Sequence, residues 1–346
     1  MTRQRLLGGT AALALAFAAL VGLAGEAIAQ KTKLTVYTAI ENEQMPVFKQ
    51  AFEAQNPDVE LAWVRDSTGI ITARVLAEKA NPQADVIWGL AVTSLMVFEQ
   101  QGLLHGYTPK DGAALKPAFR SPANPMTWTG MDAWIAVLCV NTVEAQKANV
   151  AMPTSWNDLL KPEYKGKFVM PHPGSSGTAF NAIAGWIKAM GEANAWTYMD
   201  KLHENVAVYL HSGSAPCVQA ARGERMIGLG FDMRGASEKS KGAPIQLVVP
   251  KEGSGWDMEA VAIIKGTKNL AAAQKLADFA ASRAAHDIYG KYYAIVGAPG
   301  QHALPANYPP EAEPSMLPLD LPWMAANRDR ILTEWSKRYD AKSAPK

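Results

Sequence analysis

The sequence predicts an α/β protein of two lobes joined by a pair of crossing strands. Short β-rich runs alternate with stretches of helical periodicity, and this alternation occurs twice along the chain. Two long apolar β-type runs, at 133–140 and 258–264, stand before and after the second unit and have the length to pass between lobes. Strands alternating with helices build a mostly parallel sheet covered by helices.

The elements follow in order. Residues 33–37 (KLTVY) form a strand, and 43–55 place Val47, Phe48, Ala51 and Phe52 on one helical face before Asn56-Pro57-Asp58 ends the helix. Residues 59–65 (VELAWVR) form a second strand with Val59, Leu61 and Trp63 on one side, 70–79 a second helix, and 85–88 (DVIW) a short central strand. The second unit repeats the pattern, with strands at 167–170 and 226–231 and helices at 179–190 and 195–202. Residues 301–322 carry six prolines and are irregular, and a helix at 323–335 offers Met324, Ile331 and Trp335 for docking on a lobe.

The first 29 residues read as a cleaved export signal: Arg3 and Arg5, an apolar stretch over 6–23, then Ala27-Ile28-Ala29 as a small-x-small cleavage site. That leaves 30–138 and 265–346 for one lobe and 139–264 for the other. The formal charge of +2 includes Arg3, Arg5 and Glu26 of the leader, so the mature chain is nearly neutral. It holds no basic cluster, which excludes nucleic acid and membrane surfaces as partners. In an oxidising compartment Cys139 and Cys217 are either one disulfide or two buried thiols; their spacing does not decide between these.

Catalytic signatures are missing. There is no G-x-S-x-G, no phosphate-binding G-x-x-x-x-G-K and no H-E-x-x-H, and the six histidines never fall at metal-ligand spacing. The chain therefore reads as neither an enzyme nor a metal or cofactor protein. Hydroxyl-bearing segments stand instead at strand-to-helix junctions: Thr38 after the first strand, Ser67 and Thr68 after the second, and Ser175, Ser176, Gly177 and Thr178 after the strand at 167–170. Any one of them could be an ordinary helix cap. Together they suit an oxyanion held by neutral donors at helix N-termini, beyond the carboxyl ends of the strands, without a paired arginine. Asp232, at the end of the strand at 226–231, and Glu259, at the start of the run at 258–264, are placed to receive a positive group; capping and a structural ion pair are the competing roles. Trp88 stands at the end of a central strand, facing either cleft or core. Tyr292-Tyr293 lies away from the junction segments and reads as packing or hinge.

At these residues the chain resembles the periplasmic 2-aminoethylphosphonate-binding proteins of phosphonate ABC importers. The likeness runs over the whole mature chain, through LTVYTA, WVRDSTGI, NPQADVIWGL, SSGT, the strand ending GFD, GWDMEA and KYYAIVGAPG. It implies the type II periplasmic-binding-protein fold, a monomer that closes its lobes on 2-aminoethylphosphonate, and delivery to ABC permease subunits in the inner membrane. It also implies that Thr38, Ser67, Thr68, Ser176, Gly177 and Thr178 cradle the phosphonate while Asp232 receives the amino group. Related ferric-binding proteins carry a Tyr-Tyr pair where Phe231-Asp232 stand here, a departure that argues against iron. Carriage of iron, another small anion or a polyamine is the alternative, with a periplasmic phosphonate-processing enzyme behind it.

Overall fold

The computed structural model describes residues 30–300 and 302–345. The proposed export signal at 1–29 lies outside the described residues, and among the described residues no helix is long and apolar enough to cross a membrane. The chain runs β1 (Thr32–Thr38), α1 (Met45–Gln55), β2 (Val59–Arg65), α2 (Thr68–Ala77), β3 (Val86–Ala91), α3 (Val92–Gln100), β4 (Leu104–His105), β5 (Thr129–Asn141) and α4 (Thr142–Lys147). It continues through β6 (Phe168–Pro171), α5 (Gly177–Met190), α6 (Glu192–Asn205), β7 (Val206–Leu210), α7 (Ala215–Ala221), β8 (Ile227–Phe231), α8 (Asp232–Ser240) and β9 (Ile245–Val248). Last come β10 (Trp256–Ile264), α9 (Leu270–Ala281), α10 (Arg283–Tyr289), β11 (Ile295–Val296) and α11 (Leu321–Tyr339).

The predicted two-lobed α/β architecture is observed. In strand order β2-β1-β3-β10-β5-β8-β6-β7, the outer strands β1, β2 and β3 pair in parallel, as do β6, β7 and β8, while β10 and β5 run antiparallel in the middle. The thirteen residues of β5 are all buried and serve both halves. Its first part pairs with β10, and its second part, from Ala136 onward, pairs with β8 and β9. A strand buried on both faces needs no alternation, which is why TGMDAWIAVLCVN is nearly all apolar.

The two runs expected to cross between the lobes do so in different ways. Among the described strands, β5 is the one that pairs in both sheets. β10 pairs along its length with β3, β4 and β5, so 258–264 belong by sheet membership to the first lobe rather than closing the second. The return passes through non-strand residues ahead of β10, where Ala136 N donates to Gly255 O (2.9 Å). The C-terminal helix, assigned from sequence to the first lobe, touches both lobes. Trp335 packs edge-on against His172 and Tyr209, and Arg330 and Arg338 pair with Glu192 and Asp200 of α6, while the helix packs closely along α3 of the first lobe, so α11 bridges both lobes.

Cys139 and Cys217 are joined as a disulfide, their Cα atoms 5.2 Å apart.

Candidate functional site

The parallel strands of both lobes aim their carboxyl ends at one cleft, which closes over a cavity of about 50 Å³. At about 10–15 Å³ per water, that is room for roughly four water molecules. Ser67 and Thr68 bring the N-terminus of α2 to it, and Ser176, Gly177 and Thr178 bring the N-terminus of α5. Unpaired helix N–H groups and the positive dipole end make each an anion site, and here one comes from each lobe. The two hydroxyls at cap positions behave differently. Ser176 Oγ accepts from Ala179 N (3.5 Å) and so caps its helix, whereas Ser67, in extended backbone at the cap position of α2, makes no side-chain cap bond.

The lobes are shut on each other. Gly69 N donates to Ser175 O (2.8 Å), and a Cβ on Gly69 would stand only 2.0 Å from Gly174 O, so glycine is required for this approach. On the opposite rim Arg234 of α8 reaches Glu41 (2.7 Å) and Glu43 (2.9 Å), and Ser214 Oγ donates to Glu41 Oε1.

Several residues expected at the site stand elsewhere. Trp88 is fully buried in the core of the first lobe, stacked between Phe48 and Trp63, and its Nε1 donates to Tyr289 Oη (3.1 Å). Thr38 is also buried, its Oγ1 accepting from Ile40 N (3.1 Å), and it does not line the cavity. Ser175 supplies its carbonyl to the lobe contact and turns its hydroxyl to His172 O (3.1 Å). Asp232 is the main correction. Its carboxylate accepts from Ile135 N (3.1 Å) and Met233 N (2.9 Å) inside the hinge, and burial pushes its pKa up to about 7; its neighbour Phe231 lines the cavity instead.

The acids that do line the cavity are Glu259, which was anticipated, and Glu41, which was not. Glu259 sits on β10 opposite Ala91 of β3 and Asp132 of β5. It is 8% exposed, and its Oε2 has no hydrogen-bond partner in the protein. Burial and the charge of Glu41 push its pKa up to about 8, against the opposing pull of Arg65 and a hydrogen bond from Tyr293. Arg65 overturns the expectation of a site without arginine: it lines the cavity, donating from Nε to Ile40 O (3.0 Å) and from Nη2 to Glu41 (3.5 Å). Tyr293, read from sequence as packing or hinge, lines the cavity too, as do Ser212, Gly213 and Ser214 after β7. For Arg65 the position at a strand end just before Ser67 was an available signal. For Tyr293, far along the chain from every junction, there was none.

Chemically the cavity offers hydroxyls, two helix N-termini and one guanidinium on its anion-binding side. It also offers one unpartnered carboxyl oxygen for a hydrogen-bond donor or cation. Among the described residues no three His, Cys, Asp or Glu side chains are grouped to hold a metal ion.

Residues 81–320 match the family model described as bacterial extracellular solute-binding protein. The chain is 35% identical over 264 residues to an uncharacterised protein of Haemophilus influenzae, covering 75% of this chain and 76% of that one. It is 26% identical over 293 residues to a probable ABC transporter periplasmic-binding protein of Sinorhizobium fredii, covering 82% and 79%. Among solved structures it is similar to the periplasmic binding protein AfuA of Actinobacillus pleuropneumoniae, seen with fructose-6-phosphate, at 31% identity and a TM-score of 0.83 over 90% of this chain and 99% of that one.

Proposed function

The chain belongs to the bacterial extracellular solute-binding protein family, and on that premise we propose that it is the periplasmic carrier of an ABC importer whose cargo is 2-aminoethylphosphonate. The observation that carries the cargo assignment is Glu259 Oε2, buried and unpartnered in a cavity that also presents hydroxyls, two helix N-termini and the Arg65 guanidinium. A buried polar atom without a partner costs about 1–3 kcal/mol, and a ligand ammonium would relieve that cost. The phosphonate then lies at Ser67, Thr68, Ser176, Gly177 and Thr178, with the α2 and α5 dipoles behind it. The amino group goes to Glu259 and not to Asp232. Closure of the lobes removes water from both ends of the ligand, which strengthens each contact and makes a mismatched end costly.

A second reading is favoured by the likeness to AfuA: a sugar phosphate, with the phosphate in the same cradle and sugar hydroxyls donating to Glu41 and Glu259. The cavity of about 50 Å³ favours the smaller ligand. Titration calorimetry of the mature chain with 2-aminoethylphosphonate, fructose 6-phosphate and inorganic phosphate separates the two. The aminophosphonate is expected to bind one to one and more tightly than either competitor. Tight fructose 6-phosphate binding without the aminophosphonate overturns the assignment in favour of the second reading. Release of phosphate or an aldehyde during incubation overturns the carrier role itself.

A further inference from the structure

The loop at 212–214 lines the ligand cavity, yet it lies on the far side of the second lobe's sheet order from the hinge, and its placement has a specific cause. The first turn of α7 carries it: Ser214 O accepts from Val218 N (3.2 Å), and Cys217 in that turn is bonded to Cys139 on β5. β5 is the strand shared by both sheets, and in β8 Gly228 is the register partner of Cys139. A Cβ on Gly228 would stand 2.1 Å from Pro216 O, and one on Gly230 would stand 2.4 Å from Cys217 Sγ. The alternating glycines of IGLGF therefore let α7 lie flush on β8, and both cysteines are fully buried beneath it.

We infer that the Cys139–Cys217 disulfide is a positioning element of the ligand site: through the first turn of α7 it fixes the 212–214 loop against the opposite lobe. The loop's reach across the cleft is direct. Ser214 Oγ donates to Glu41 Oε1, and Glu41 is also held by Arg234 and Arg65 and raises the proton affinity of Glu259. Gly213 packs close to the Ser176 and Thr178 hydroxyls, so a shift of the loop disturbs both the acid side and the anion side of the cavity. In its ligand arm the inference rests on the proposed cargo; in its structural arm it does not.

The test uses the full mature chain, wild type against the double substitution Cys139→Ala/Cys217→Ala, with 2-aminoethylphosphonate as probe. The variant is expected to unfold cooperatively and to release the probe about tenfold faster, within the usual coupling range for residues joined through a shared element. Ser214→Ala should weaken binding in the wild-type background and add little in the cysteine-free one, because the loop is already displaced there. Gly230→Ala keeps the disulfide but presses on Cys217 Sγ, and should likewise speed release; it serves where the cysteine-free chain does not fold. Independently of any ligand, amide hydrogen exchange at 212–217 should accelerate in the cysteine-free or Gly230→Ala chain while exchange in β1 stays unchanged. Unaltered exchange at 212–217, or additive effects of the cysteine and Ser214 substitutions, overturns the inference. Failure of the wild type to bind the probe overturns the cargo assignment alone, and the exchange measurement then decides the positioning role.

Discussion

Replacing Glu259 by Gln tests the charge balance of the site. Burial and the charge of Glu41 push the Glu259 pKa up to about 8, so its carboxyl is mostly protonated at neutral pH. An ammonium placed against it favours the carboxylate and pulls that pKa down, so capture should expel a proton from this group. The sign follows directly: wild-type affinity rises with pH, nearly tenfold per unit below about pH 8, and levels off above. At neutral pH the cost of deprotonating Glu259 offsets part of the about 1.5–3 kcal/mol that a charge-assisted hydrogen bond contributes, so the net benefit grows in alkaline buffer. The assay is calorimetry in buffers of different ionisation enthalpy, run on wild type and Glu259→Gln in parallel. The phosphonate titrates equally in both, so their difference isolates Glu259. Equal proton counts in the two proteins would refute the cation-acceptor role. Proton uptake by the wild type relative to the variant would mean instead that a protonated Glu259 donates to the oxyanion.

Gly69→Ala should block closure, since the new Cβ would lie 2.0 Å from Gly174 O. Ligand affinity is expected to fall more than about tenfold, or ~1.4 kcal/mol, and the ligand-induced decrease in radius of gyration should vanish in small-angle scattering while the ligand-free Tm holds. Normal compaction would refute it. Asp132 is fully buried with both oxygens unpartnered, and burial, then Glu259 and Asp232, raise its pKa well above the usual range. Because the folded pKa exceeds the unfolded value of about 3.9, its contribution to stability is complete below that pH and declines as pH rises toward the folded pKa. Asp132→Asn should therefore raise Tm more at about pH 8 than at about pH 5, and a uniform shift would count against the assignment. Trp335→Ala removes the residue packed against His172, Tyr209 and Tyr339, and should cost about 3–5 kcal/mol in denaturant unfolding. A loss below about 1 kcal/mol would show that α11 is dispensable to the second lobe.

Much of the architecture was determined by the sequence alone. Period-two and period-3.6 apolar spacing located β1 to β3 and the helices between them, the long apolar run located β5, and hydroxyls before helical stretches located the N-termini of α2 and α5 that line the cavity. These are local properties, written within a few residues. Which carboxyl faces the cavity was decided by tertiary structure. Phe231 and Asp232 are adjacent, and successive side chains at a strand end point to opposite sides, so the cavity receives Phe231 while Asp232 turns into the hinge toward Ile135 N. Trp88 went to the core for a related reason: the pairing of β3 with β1 and β10 turns it toward Phe48 and Trp63. Glu41, Arg65, Tyr293 and the 212–214 loop come from four distant segments, and only strand register, the passage of β5 between sheets and one disulfide bring them to the same cavity.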